Sequence, residues 1–68
     1  MEKWIGEAVG IMHVNRIKQG QVADKLGVTN DYVNMILNGK KAPKGAEERI
    51  MGAIAEIISE RGAMEEIT

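Results

Sequence analysis

Cysteine is absent from this sequence, histidine and serine occur once each as His13 and Ser59, and proline, tryptophan and tyrosine are equally rare. Without cysteine there are no disulfides and no thiolate metal sites, which suits a reducing compartment. One histidine and one serine do not assemble a nucleophile with its base, so an enzyme is not expected. The glutamate pairs Glu47-Glu48 and Glu65-Glu66 do not take that place, because adjacent residues on a helix point in different directions. Glycine aside, no apolar run exceeds three residues (Met35 to Leu37, Ala53 to Ala55), against roughly 20 for a bilayer crossing. No secretory leader is visible, so the expectation is a cytoplasmic protein with no membrane contact, no metal and no cofactor. Alternating stretches long enough for a strand are also missing, as are internal repeats, linkers and low-complexity tracts.

What remains is enough for one small domain over residues 1–68. A 60-residue domain buries only roughly 60% of the surface its unfolded chain exposes, so a partner subunit would add useful burial. Net charge is −1, but the charges are segregated. From Arg16 to Lys44 six basic residues (Arg16, Lys18, Lys25, Lys40, Lys41, Lys44) face only Asp24 and Asp31. From Gly45 onward six glutamates face only Arg49 and Arg61. The net charge argues against a generic polyanion binder; a polyanion, if one binds, meets the middle of the chain and not its end.

Helical spacing dominates the rest. Trp4, Ile5, Ala8, Val9 and Met12 fall on one face of a first helix over residues 3 to 14, with Asn15 as its left-handed stop. Gly6 and Gly10 weaken that helix by about 1 kcal/mol each relative to alanine, which predicts that another helix backbone approaches them. Val22, Ala23 and Leu26 form the inner face of a short second helix from Gln19, ended by the positive φ of Gly27. Thr29 caps a third helix whose inner face is Val33, Ile36 and Leu37. On its opposite face stand Asn30, Asp31, Asn34, Met35 and Asn38, and Asn38-Gly39 closes it. The turn KKAPKG carries three lysines, and a fourth helix runs from about Ala46 to Arg61 with Gly62 as its stop. Its apolar face is Ile50, Ala53, Ile54, Ile57 and Ile58. The fold class is all-α, a small bundle of four to five helices.

The second and third helices with their glycine corner make a helix-turn-helix. Ala23 is small where the helices cross, Gly27 turns the corner, and Val22, Leu26, Val28, Val33 and Ile36 fill the wedge. The run Q-x-x-V-A-D-K-L-G-V-T-x-x-Y-V-x-x-I-L-N-G, Gln19 to Gly39, resembles the phage-repressor type of helix-turn-helix family, the lambda-repressor-like or Cro/CI-type domains. IGEAV at residues 5 to 9 and Pro43 extend the likeness to about residues 4 to 58, while Gly20 departs from the family pattern. The resemblance implies a DNA-binding transcriptional regulator, repressor-like, that binds a double-stranded operator as a homodimer with the third helix in the major groove.

Carried over by position, Asn30, Asp31, Asn34 and Met35 contact bases. An asparagine amide both donates to and accepts from an adenine edge, an aspartate accepts from the cytosine amino group, and a methionine covers a thymine methyl. Asp31 also has a purely structural reading, as an acid favouring the positive end of its helix. Gln19 corresponds to a glutamine that holds a phosphate and braces a recognition side chain. Thr29, Asn38, Lys40, Lys41 and Lys44 are placed to hold phosphates. Met51, Met64 and Ile67 either complete the monomer core or, with the fourth helix and tail, form the expected homodimer face. The competing reading is a protein-interaction module, an antitoxin or assembly adaptor built on the same fold, with the acidic tail gripping its partner.

Overall fold

The computed structural model describes the backbone of residues 2–67 and the side chains of residues 2–62. Four helices follow one another, α1 (Lys3–Val14), α2 (Gln19–Leu26), α3 (Asn30–Leu37) and α4 (Ala46–Ile67), and there is no strand among the described residues. The eight-residue α2 and α3 are too short to hold in water alone, since isolated helices below roughly 12–15 residues are marginal. Packing therefore sustains them. α2 lies against both α3 and α4, and α1 lies against α4. Their shared core is almost entirely aliphatic: Ile50, Ile54, Val22 and Val33 are its largest fully buried side chains, with Trp4, Ile5, Ala8 and Met12 supplied by α1.

The first three helices all end in the same way. After α1 the Arg16 N–H donates to the His13 carbonyl and the Ile17 N–H to Met12; after α2 Gly27 donates to Asp24 and Val28 to Ala23; after α3 Gly39 donates to Ile36 and Lys40 to Met35. These are Schellman closures, each built round a left-handed residue, Arg16 (φ 55°), Gly27 (φ 71°) or Gly39 (φ 75°). The last two stand where the sequence places them. The first does not. Asn15 has φ −94° and uses its side-chain amide on the Ile11 carbonyl, 2.8 Å away, so the left-handed turn falls one residue later, on Arg16. Ile17, the residue after the turn, is buried by this closure, and burial offsets the local cost of a left-handed arginine.

Three further expectations are corrected. Val9 is 46% exposed, because the buried arc of α1 is the narrower one of Trp4, Ile5, Ala8 and Met12. No helix backbone approaches Gly6 or Gly10: a Cβ built on either meets nothing within 4 Å. Gly62 does not stop α4, which continues to Ile67 with no left-handed residue at that position. A mid-helix glycine costs about 1 kcal/mol, too little to end a helix already anchored by Ile50, Ile54 and Ile57. Nothing in the structure explains Gly20.

α4 is tied to the other helices by two adjacent side chains. The Arg61 guanidinium donates to the carbonyls of Asn15 and Arg16, at the end of α1, and the Glu60 carboxylate pairs with Lys25 of α2. The hydrogen bond that Lys25 donates to Glu60 raises the Lys25 pKa above its ordinary 10.5. A raised lysine pKa stabilises the fold fully at neutral pH and loses its effect only as pH climbs past the usual lysine range. Being exposed, the pair is weakened by salt.

Urea unfolding distinguishes the three kinds of glycine and core position. Gly27→Ala should lose about 1 kcal/mol to its left-handed backbone, whereas Gly6→Ala and Gly10→Ala should each gain up to about 1 kcal/mol. Ile54→Ala should lose about 2 to 5 kcal/mol through the cavity it leaves.

Candidate nucleic-acid interface

The corner between α2 and α3 is rigid for local reasons. Gly27 turns the chain, Val28 packs half-buried against the core, and the Thr29 hydroxyl accepts from the Tyr32 N–H at 3.1 Å as the α3 cap. Leu26, Val28, Tyr32, Pro43 and Ala46 line a partly open apolar gap with room for roughly one water. Val33, Ile36 and Leu37 bury one side of α3. The helical repeat then carries Asn30, Asp31, Asn34, Met35 and Asn38 to the other side, where all five are exposed, Met35 by 38%. Asp31 lies in the first turn of α3, where its charge favours the helix end.

Three amides cross from α2 to α3. Gln19, half-buried at the first position of α2, donates from Nε2 to Asn34 Oδ1 at 3.5 Å. Asn38 donates from Nδ2 to the same oxygen at 2.8 Å. Asn34 therefore joins the start of one helix to the end of the other. Beyond Gly39 come the exposed lysines 40, 41 and 44, and the Lys41 ammonium sits 5.6 Å from the centroid of the Tyr32 ring. Such a contact contributes about 0.5 to 1 kcal/mol at an exposed site and restrains an otherwise free side chain.

The edge thus gathers amide donors and acceptors, one carboxylate and one thioether, flanked by ammonium groups. That is the chemistry of base edges and phosphates. Among the described residues no cluster of histidine, aspartate and glutamate could hold a metal ion, and no helix is long and apolar enough to cross a membrane. Of the residues singled out in the sequence, the α3 set shares one face, Gln19 and Asn38 are joined through Asn34, and Lys41 is placed by Tyr32. Lys40 and Lys44 are exposed without such a contact among the described residues. Tyr32 was missed. Its ring sits at the margin between buried and exposed faces, and nothing in the helical spacing announces a lysine nine residues on.

Residues 15–47 match the family model described as helix-turn-helix, a span running from the end of α1 into the first turn of α4. The α2–α3 unit is a helix-turn-helix. The family is one of DNA-binding regulators and not of enzymes. The helix-turn-helix is covered whole, just under half of the chain in all. No curated protein and no solved structure matches the chain.

The cap is the local contact on which the edge of the helix-turn-helix depends most directly. Thr29→Ala should lower stability by about 1 kcal/mol and Thr29→Ser by much less, read from thermal unfolding followed by circular dichroism.

Proposed function

We propose that residues 1–68 form one sequence-specific, repressor-like regulator that occupies operator DNA with α3 in the major groove. The observation that carries this reading is the solvent-exposed polar edge of α3, held outward by the burial of Val33, Ile36 and Leu37 behind it. Asn30, Asp31, Asn34 and Met35 read bases. Gln19, Thr29, Asn38, Lys40, Lys41 and Lys44 hold phosphates. Thr29 serves both cap and phosphate, because its hydroxyl oxygen accepts from Tyr32 while its proton stays free to donate. Asp31 is tolerated beside phosphates where it accepts from a cytosine amino group. Steering comes from the basic middle of the chain, whereas Glu56 and Glu60 lie on α4.

The regulator acts as a homodimer through α4. Met51 and Ile58 are only half-buried in one chain, and Gly52, Ala55 and Ser59, next to them on α4, are exposed and uncharged, which favours a second copy packing there. The side chains of Met64 and Ile67, part of the expected dimer face, lie outside the described residues. A twofold pair sets its recognition helices about 34 Å apart, one turn of duplex.

Fluorescence anisotropy on duplex fragments at two salt concentrations tests the reading. With six to ten phosphate contacts, affinity should fall roughly 10³- to 10⁵-fold from about 50 to 200 mM salt, and each of Lys40→Gln, Lys41→Gln and Lys44→Gln should flatten the log–log slope by about 0.9 per subunit. No binding at low salt would point instead to a protein-interaction module. Sedimentation that finds a monomer at high concentration, with and without DNA, would remove the dimer.

A further inference from the structure

The amide chain across α2 and α3 has a direction. Asn38 Nδ2 donates to Asn34 Oδ1 at 2.8 Å and Gln19 Nε2 donates to the same oxygen, more weakly, at 3.5 Å, so the accepting end of the Asn34 amide is turned to the protein. Its own Nδ2 donates to no described residue, and the residue is exposed on the edge of α3. An asparagine free at both ends would pair with adenine, accepting from N6 and donating to N7. One whose oxygen is occupied has only N–H to offer.

We infer that Asn34 reads its base pair as a donor-only group and selects guanine. Guanine shows two adjacent acceptors in the major groove, N7 and O6, with no donor on that base. Adenine sets an amino group beside its N7, where a donor-only side chain leaves that amino group unanswered. Cytosine offers a donor alone, and thymine one acceptor next to a methyl. Gln19 and Asn38 thereby act as positioning residues: they never touch the base, but they fix which end of the Asn34 amide faces it. This inference rests on the DNA-binding reading above.

The test is selection on random duplexes with the full chain, comparing the unmodified protein with Asn34→Ala and Asn34→Asp. The base pair whose preference vanishes in Asn34→Ala is the one Asn34 reads. It should be guanine, favoured roughly 5- to 100-fold, and replacing that base by 7-deazaguanine should remove most of the preference. Asn34→Asp keeps an oxygen for Gln19 and Asn38 but has no N–H, so the preference there should turn to cytosine. In the free protein, Asn34→Ala should shift the side-chain amide proton signals of Gln19 and Asn38. Adenine at that position, no position responding to Asn34→Ala, or unmoved amide signals would each overturn the inference while leaving DNA binding intact. Failure of the unmodified chain to bind any duplex at low salt would overturn the regulator reading itself.

Discussion

The burial of Val22, Ala23, Val33, Ile50 and Ile54 in one core, where α2 lies against both α3 and α4, is the constraint on which the rest of the molecule depends. Neither α2 nor α3 is long enough to persist without it. These side chains are small or branched, so the two helices approach closely and have little room to slide. Opposite that contact, the exposed side of α3 needs no further support to stay in place. A rigid edge costs little additional ordering on binding, which matters where the described residues share one small, mostly aliphatic core.

The closures of the helices extend this rigidity into the loops. Each of the first three helices ends on a left-handed residue followed by a return hydrogen bond, and at the first two the next residue, Ile17 or Val28, turns back toward the core. After α3 the next residue is Lys40, so the same geometry delivers a cation to solvent beside the polar edge of α3 instead. α4 then acts as a brace. Glu60 holds α2 and Arg61 holds the end of α1, so consecutive residues of one helix fasten the two elements that flank the helix-turn-helix entry.

Most of the fold was legible because it rests on local rules. The periodicity of Val33, Ile36 and Leu37, the glycines at 27 and 39, and the Thr29 cap each declare themselves within a few residues. The misreadings share a cause. Asn15 carries the residue type for a left-handed turn, yet the position of Ile17 in the core moved that turn to Arg16. Gly6 and Gly10 look like contact points, and Gly62 looks like a stop, but whether a neighbour arrives or a helix runs on is decided by elements far away in the chain.

The sequence by itself determined where the four helices begin, which sides of α2 and α3 face inward, and that the corner at Gly27 joins those two, because each of these follows from backbone preferences and side-chain spacing over one or two turns. Only the tertiary structure decided that Gln19 reaches Asn34, that Lys41 settles on Tyr32, and that Arg61 grips the end of α1. Those pairs lie 15, 9 and 46 residues apart in the chain. Hydrogen bonds and ion contacts act over a few ångströms, so these pairs depend on how the packed core sets the helices and on the path of the turn after α3.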